Sequence, residues 1–578
     1  MRQYPFAAKI GVLACAIMAA MAAIPGFSQS QPPKPPAEQP AGQNDKQTAP
    51  AGPALRVLTR LVQVSVVAQD KNGQPVTGLT KDDFTLFDQG QEQKINFFAE
   101  QSNRALPVTT ATSGAPVTVA PVVNTFSNRF EQKAGAPTSV TVILLDTRNT
   151  HASDMSYARK QVAKFLAQIQ PQDRVALYSL SSKLYILHDF TEDATSLLKA
   201  LALDPNREDF KISASEPDAA DTGDPLLDSA VNASNARIAQ FYMNDRVAQT
   251  ALAIKTIADH LKGLPGRKNL IWVSGAFPID ILGGELPLDH VSYTDQIEDT
   301  ARSLNNANVA IYPVDARGLI GNPIGVNLPG PRRGALPNTA SPFPARQNFD
   351  TMNTMAERTG GRAFYNSNDI QGAVRKAIDD SRVTYVLGYY PTNTNWDGKF
   401  REIKVRTAKP GVHLRFRVGY YALPDAPTTA TQKAQLLSDA EWSPLEATDL
   451  ALEVSADPVT SAGFRELQVQ VRIAANQLHF EQSNNHWKDS LQVVWVEIGS
   501  TGRAIGTITK TVGLDVPQDS YDLLLNKGIS FGQTLKVRDD AIELRLVTRD
   551  DGSGAIGSVN IPLTHLFTKA GTSTAPKN

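Results

Sequence analysis

The run VTVILLD occupies residues 140–146 and is aliphatic at nearly every position before it ends at Asp146. A continuous apolar strand is typical of a parallel sheet that helices cover on both faces, whereas a strand with one solvent face alternates. We therefore predict a buried parallel strand over 140–145. Because open α/β sheets bind ligands beyond the carboxyl ends of their strands, function is expected near Asp146.

Strand-like and helix-like patterns alternate after this run. Apolar residues recur at helical spacing from Ala158 to Ile169, and Pro171 ends that helix. The further predicted elements are a strand over 174–180, a helix over 245–262, a strand over 269–273, a helix near 297–304, a strand over 309–314, a short helix ending at 360–361, a strand over 362–365 and a helix over 370–378. This alternation predicts a doubly wound, mainly parallel α/β domain over 138–382. Its Pro- and Gly-rich interruptions at 204–228 and 318–346 are predicted to be surface loops.

Segments with β patterns flank the α/β domain. Val62, Val64 and Val66 alternate with polar residues, which predicts an N-terminal β segment over 55–101. We expect this segment to pair with a second β segment over 383–422, so that the α/β domain is inserted into one β module. Short strands separated by turns predict a C-terminal β-sandwich over 446–568. The remaining stretches are predicted to be an exposed connection (102–137), a linker (423–445) and a terminal tail (569–578).

The N-terminus has the features of an export signal. Arg2 and Lys9 precede or enter an apolar run over 10–24, and the small residue Ser28 suits cleavage, so we predict a signal peptide over 1–28. The Pro-, Ala- and Gln-rich segment 29–54 is predicted to be a disordered linker. Cys15 is the only cysteine and lies inside the predicted signal, so the mature chain has no disulfide or thiolate site. The expected location is periplasmic, cell-surface or extracellular, with no transmembrane segment after the signal.

Composition and motifs argue against a nucleic-acid-binding protein or a familiar enzyme. The formal net charge is −1, and no concentrated basic face is visible in the sequence. The eight histidines include no His-Glu-x-x-His zinc motif. Ser274 follows a strand but has Trp272, not glycine, two positions earlier, so it lacks the sharp turn of a nucleophile elbow. We therefore predict no catalytic residues.

Four separated blocks carry a family resemblance. They are VTVILLDTRNT (140–150), RVALYS (174–179), GRKNLIWVSG (266–275) and YVLGYY (385–390). Together with LVQV (61–64) and VTGL (76–79), they resemble the Acidobacterial von Willebrand factor A-related family over residues 57–422. The resemblance implies a von Willebrand factor A-like (Rossmann-like) domain whose loops form a binding rim at the strand ends.

Ligand-binding members of this fold hold a divalent cation such as Mg²⁺ at the rim, in a metal-ion-dependent adhesion site. The implied ligands are Asp-x-Ser-x-Ser after the first strand, a threonine from a later loop and an aspartate after the fourth strand. Asp146 matches the first aspartate, and Thr150 can replace the second serine. However, Arg148 stands in place of the first serine and Ser274 in place of the second aspartate. The site is therefore predicted to be degenerate.

Two interpretations of the rim stay open. In one, Mg²⁺ or another divalent cation is bound by Asp146, Thr150, Thr222 and Asp280, with Thr191 and Asp315 as alternative ligands. In the other, Asp146 orders the loop through a pair with Arg148, and protein groups contact a partner directly. The residues of this predicted partner-binding rim are Asp146, Arg148, Asn149, Thr150, Ser274 and Gly275.

The leading functional hypothesis is a secreted or envelope-associated, non-enzymatic protein that binds a protein or cell-surface partner through this rim. One alternative is an enzyme whose site is built from the long loops at 204–228 and 318–346. Another is a purely structural envelope component.

Overall fold

The computed structural model describes residues 61–102, 124–129, 139–205, 222–264, 266–277, 300, 303–304, 306–319, 345–422, 429–461 and 464–568. These residues belong to one compact unit, Thr59–Asn578. The predicted signal peptide (1–28), linker (29–54) and tail (569–578) lie outside them, as do most of the two predicted loops and of the predicted helix near 297–304.

The described strands are, in chain order, β1 (Val62–Gln69), β2 (Phe84–Asp88), β3 (Gln91–Gln93), β4 (Ile95–Ser102), β5 (Thr125–Ser127), β6 (Ser139–Asp146), β7 (Val175–Leu180), β8 (Leu184–Thr191), β9 (Arg267–Ser274), β10 (Val309–Asp315), β11 (Val383–Tyr389), β12 (Phe400–Thr407), β13 (His413–Arg415), β14 (Gly419–Tyr421), β15 (Leu452–Ser461), β16 (Phe464–Ile473), β17 (Glu481–Ser483), β18 (His486–Gly499), β19 (Ala504–Pro517), β20 (Ile529–Val537), β21 (Ala541–Asp550) and β22 (Ile556–Pro562).

The described helices are α1 (Ala152–Leu166), α2 (Ala194–Ala202), α3 (Pro225–Lys262), α4 (Ala345–Thr359), α5 (Ile370–Asp379), α6 (Ala430–Trp442), α7 (Gln518–Lys527) and α8 (Leu563–Thr568). Short 3₁₀ turns occur at Lys81–Asp83 and Ala475–Gln477. Within the described part of the chain, no helix combines the length and the apolar character needed to cross a membrane.

The central sheet has the strand order β10-β9-β6-β7-β8. β6 pairs in parallel with β7 on one side and with β9 on the other, β10 extends the parallel set, and β8 is an antiparallel edge strand. All eight residues of β6 are buried, because α1, α2 and α5 cover one face of the sheet while α3 and α4 cover the other. The sheet is doubly wound and mainly parallel, as the run at 140–146 predicts.

Two predicted elements of this domain differ from the structure. The predicted strand over 362–365 makes only one bridge, between Phe364 and Val314, because the chain turns away at Asn366 with a φ of 53°. Helix α3 begins at Pro225, inside a predicted loop, and not near residue 245. The Asp224 carboxylate accepts hydrogen bonds from the first backbone N–H groups of α3, and proline suits the first turn. Most of the early residues of α3 are exposed, so no apolar period marks this half of the helix.

The segments on either side of the α/β domain pair with each other. β1 and β4 both pair with β11, and β2 pairs with β12. The two resulting sheets, β13-β1-β11-β4 and β14-β12-β2-β3, share one apolar core that includes Val64, Leu86 and Leu387. The chain thus leaves this β module after β4 and returns to it at β11.

The C-terminal part forms a sandwich of two sheets. One has the order β20-β16-β15-β5, and the other has the order β17-β18-β21-β22 with β19 paired to β18. Their inner faces share a core in which Val469 of the first sheet and Trp495 of the second are fully buried.

Two stretches predicted to lack structure contribute to the sandwich. β5 lies inside the predicted connection 102–137 and pairs with β15. The adjacent Asn128 is buried, and its amide bonds to Ala447 O at 2.7 Å, Leu450 O at 2.8 Å and Leu452 N at 2.7 Å. Most of the predicted linker 423–445 is helix α6, which packs Ala440 against the outer face of the second sheet. At 124–129 and at 430–442 the chain therefore has structure that the sequence did not predict, because long-range contacts and not local pattern order these residues.

Candidate functional site at the rim of the central sheet

The loop after β6 folds back on its own strand end. The backbone N–H groups of Thr147 and Arg148 donate to Leu180 O at the end of β7, at 2.9 and 3.1 Å. The Thr150 hydroxyl donates to Asp146 O at 2.6 Å and accepts from Gly275 N at 2.8 Å. This bond to Gly275 ties the loop to the segment after β9, as expected for neighbouring parallel strands.

The side chain of Asp146 lies at the centre of this rim and is fully buried. Its Oδ1 accepts from Asn149 N at 3.0 Å, and its Oδ2 accepts from Asn149 Nδ2 at 2.8 Å and Trp272 Nε1 at 2.9 Å. Ser274 Oγ lies 3.0 Å from the same Oδ2 and 2.7 Å from Ala276 O, and its single hydrogen serves one of them at a time. Three N–H groups and a hydroxyl thus surround the carboxylate. Burial raises the pKa of Asp146, and these hydrogen bonds oppose that shift.

Helix α3 closes the rim from one side. Asn149 Nδ2 also bonds to Thr250 Oγ1 at 2.9 Å, and Arg246 Nε donates to Asn149 Oδ1 at 3.0 Å. The Arg148 guanidinium donates to Ser181 O at 2.8 Å and forms an ion pair with Asp245. The predicted pair between Arg148 and Asp146 is therefore wrong, since α3 supplies a different carboxylate for the arginine.

The residues at this rim do not fit a divalent cation. Asp146 Oδ2 already accepts two N–H bonds and lies 3.0 Å from Ser274 Oγ, and Oδ1 accepts the bond from Asn149 N. Mg²⁺ needs oxygen ligands in octahedral geometry, whereas an indole N–H and an amide N–H are directed at Asp146 Oδ2. Among the described residues, no three or more His, Cys, Asp or Glu side chains gather in a way that could hold a metal ion.

The side chains considered as further cation ligands lie elsewhere or are occupied. Thr222 is exposed ahead of α3, where its hydroxyl donates to Asp228 Oδ1 at 2.7 Å. Thr191 ends β8, and its Oγ1 accepts from Asp193 N at 3.0 Å. Asp280 lies outside the described residues. Asp315 is buried and holds Arg317 in a bidentate ion pair, at 2.9 and 2.8 Å.

The structure brings the six predicted rim residues together but buries all of them. Arg148 is the most exposed of the five with side chains, at 7%. A macromolecular partner therefore does not reach these side chains in this conformation. We revise their interpretation from direct contacts to residues that position the rim.

An exposed surface that the sequence did not single out lies at the end of β10. We call it the rim patch, and it consists of Tyr157, Arg317, Leu319, Phe349 and Tyr365. Phe349 and Tyr365 stack with ring centroids 4.4 Å apart, and the Arg317 guanidinium lies 5.9 Å from the Phe349 ring. Leu319 is 61% exposed, Tyr157 37% and Tyr365 36%.

Hydrogen bonds hold the rim patch in place. Asn368 accepts from Tyr157 through its backbone oxygen at 2.8 Å and from Leu319 N through its side-chain oxygen at 3.0 Å. Tyr365 accepts from Asn353 Nδ2 at 3.1 Å. One feature of the sequence pointed to this surface. Asp315-Ala316-Arg317 directly follows a predicted strand, and binding residues are expected at such strand ends.

No protein-family model and no curated protein matches this chain. Solved structures that resemble part of it include domains of the von Willebrand factor A type. An aerotolerance-related membrane protein from Bacteroides fragilis NCTC 9343 is 14% identical, with 42% of this chain and 98% of that chain covered and a TM-score of 0.22. The vWF domain of the type V pili tip protein Mfa5 from Porphyromonas gingivalis is 11% identical, with 42% and 93% covered and a TM-score of 0.23. The VWA domain of SpRpn10 is 14% identical, with 41% and 95% covered and a TM-score of 0.20. The rim is therefore interpreted from its own contacts.

Proposed function

We propose that this chain is an exported, non-enzymatic protein that binds a protein or cell-surface partner at the rim of its α/β domain without a divalent cation. The proposal rests on the exposed rim patch at the end of β10, together with an Asp146 carboxylate that internal donors already surround.

The Asp146 cluster supports a scaffolding role for the buried rim residues. In a cation-dependent site, the metal would link the carboxylate to the partner. Here Trp272 and Asn149 make those bonds, and they connect β6, β9 and α3 directly. These bonds join the two strand ends to α3 without a metal.

The composition of the rim patch supports macromolecular binding. Tyrosine and arginine are enriched among the residues that dominate binding energy at protein interfaces. Each tyrosine of the patch has its hydroxyl hydrogen-bonded and its ring partly exposed, so little side-chain entropy remains to be lost on binding. An aromatic surface of this kind fits a protein surface better than a highly charged polymer.

Two further parts of the proposal rest on sequence. The apolar run over 10–24 with its flanking charges supports export to the periplasm, cell surface or medium. The sequence blocks between residues 57 and 422, which follow the family's order along the chain, support membership of the Acidobacterial von Willebrand factor A-related family.

The test is partner capture from an envelope extract by the immobilised protein, followed by direct affinity measurement with the captured partner. A variant with Tyr157→Ala and Tyr365→Ala is compared with Tyr390→Ala, which removes a 45% exposed tyrosine from the β module. We expect the double variant to bind at least about tenfold more weakly, and the control to bind like the parent protein. Chelator and added Mg²⁺ should leave the affinity unchanged.

Equal affinity of the double variant and the parent would refute the role of the rim patch. Loss of binding on chelation would instead refute the cation-independent mode. Thermal unfolding of each variant shows whether it is folded before its affinity is compared.

A further inference from the structure

A small cavity lies where the α/β domain meets the β module, and we call it the junction cavity. Its volume is about 20 Å³, which suits a water molecule or the head group of a small ligand. Arg358 of α4 and Val309 of β10 line it from the α/β domain, whereas Phe400 of β12 and Tyr421 of β14 line it from the β module. Because Val309 begins β10, the junction cavity is at the opposite end of that strand from the rim patch.

Two glycines allow the walls of the junction cavity to approach each other. Gly360 follows α4 with a φ of 77°, and a Cβ atom there would lie 2.8 Å from Arg417 N. A Cβ atom on Gly419 would lie 2.4 Å from Cζ of Phe400. Any larger residue at either position would push the end of α4 or the Phe400 ring away. The backbone therefore fixes the shape of the junction cavity.

The walls of the junction cavity are positively charged. Arg358 and Arg417 both line it, and no acidic residue is among the described residues that do. Arg358 Nη1 donates to the Tyr421 hydroxyl at 3.1 Å, and its guanidinium lies 5.1 Å from the centre of the Phe400 ring. Arg417 is 9% exposed, and its Nη2 donates to Gln63 O at 2.6 Å. These contacts are with neutral groups, which orient the two guanidiniums without balancing their charge.

This arrangement favours an anion, and a carboxylate in particular. Burial lowers the pKa of Arg417, because its charged form loses solvation there. An anion that accepts hydrogen bonds from a buried cation offsets this loss. A carboxylate matches the planar fork of N–H donors that a guanidinium presents. Arg358, Phe400 and Tyr421 are partly exposed, so the junction cavity is open on their side, where aromatic rings can contact an apolar group.

We propose that the junction cavity is a binding site for a small organic carboxylate, whose charged group is held between Arg358 and Arg417. The apolar part of the ligand lies against the rings of Phe400 and Tyr421. The site joins α4 of the α/β domain to the β module, so its ligand stabilises the contact between them. It is independent of partner binding by the rim patch.

Isothermal titration calorimetry of the purified protein with benzoate, at constant ionic strength, tests the proposal. We expect one benzoate per chain, and a melting temperature that rises with benzoate concentration because the ligand binds the folded state. Benzamide keeps the ring but lacks the charge, so it should bind at least about tenfold more weakly. This comparison uses the parent protein alone and does not depend on the folding of any variant.

A substitution in the wall of the junction cavity locates the bound carboxylate. Arg358→Gln removes one guanidinium and should weaken benzoate binding at least about tenfold. Arg406→Gln is the matched control, because Arg406 also lies over an aromatic ring, 5.2 Å from the centre of Phe87, but does not line the junction cavity. The control should bind benzoate like the parent protein. Thermal unfolding without ligand verifies that both variants are folded.

The proposal is overturned if the parent protein does not bind benzoate, or if benzamide binds as tightly as benzoate. It is also overturned if folded Arg358→Gln binds benzoate like the parent protein, or if Arg406→Gln loses as much affinity as Arg358→Gln.

Discussion

Replacing Asp146 with asparagine distinguishes a structural carboxylate from a metal ligand. The substitution keeps the size of the side chain and removes its charge. In the structure, three N–H groups and the Ser274 hydroxyl surround the two carboxylate oxygens. If these donors stabilise the Asp146 carboxylate, Asp146→Asn should destabilise the protein. If Asp146 were instead a cation ligand, the same substitution would not destabilise the metal-free protein, because a buried carboxylate without its metal itself destabilises the fold.

The expected cost follows from the donor count. With the asparagine oxygen in place of Asp146 Oδ2, the bonds from Asn149 Nδ2 and Trp272 Nε1 are kept, and the new amide group faces Asn149 N, which is also a donor. One buried donor without an acceptor costs about 1–3 kcal/mol. The reverse orientation of the amide leaves more donors unpaired and costs more. Asp146→Ala leaves all of these donors without the carboxylate, and its cost should be on the order of 3–5 kcal/mol.

Urea unfolding of the parent protein and both variants, with Mg²⁺ and with chelator, measures these values. We expect the parent midpoint to be the same in both conditions and the two variants to be destabilised in the order given. Trp272→Phe removes one donor to Asp146 and also shrinks a fully buried core side chain, so it should cost at least about 1 kcal/mol. A parent midpoint that rises with Mg²⁺, together with an Asp146→Asn variant that is as stable as the parent in chelator, would show that Asp146 is a cation ligand.

Two further predictions concern the sandwich. Burial, and then the hydrogen bond and charge of Asp550, raise the pKa of Asp489 to about 8. In this pH range the folded state holds a proton on Asp489 that the unfolded state releases, so the free energy of unfolding should fall between about pH 4 and about pH 8. Asp489→Asn should lose that part of the pH dependence. The same dependence of unfolding free energy on pH in both proteins would show that Asp489 is not the group responsible. Asn128→Ala removes the bonds that fix β5 beside β15, so it should destabilise the sandwich by about 1–3 kcal/mol and increase proteolysis near β5. Unchanged unfolding and cleavage would show that β5 does not depend on these bonds.

The central sheet was predictable because burial on both faces leaves a strong signal. β6 and β9 are continuous apolar runs, and their parallel register places Asp146, Trp272 and Ser274 close together. The first half of α3 was not predicted because its exposed residues show no apolar period, although Asp224-Pro225 is a helix-start signal. β5 has three residues and is ordered by β15, which lies more than 300 residues away in the chain, so no local pattern could reveal it.

The sequence predicted where the candidate site lies, but it did not predict the contacts of its side chains or the residues of its exposed surface. The strand ends located the rim, and the sequence indicated that Arg148 and Ser274 depart from a cation site. The direction of the Arg148 side chain depends on Asp245, and Asp245 reaches the rim only because α3 extends across it. The rim patch joins α1, the end of β10, α4 and the segment before α5, which become neighbours through folding alone.

We propose that internal hydrogen bonds, and not a cation, complete the Asp146 end of the sheet. Anomalous X-ray diffraction from crystals soaked in Mn²⁺ tests it most directly, since manganese takes the same oxygen ligands as Mg²⁺ and can be located by its own signal. We predict no manganese at Asp146, with Trp272 Nε1 still within hydrogen-bond distance of its carboxylate. A manganese ion coordinated by Asp146 and Thr150, with the Trp272 bond broken, would show that a cation completes this end of the sheet instead.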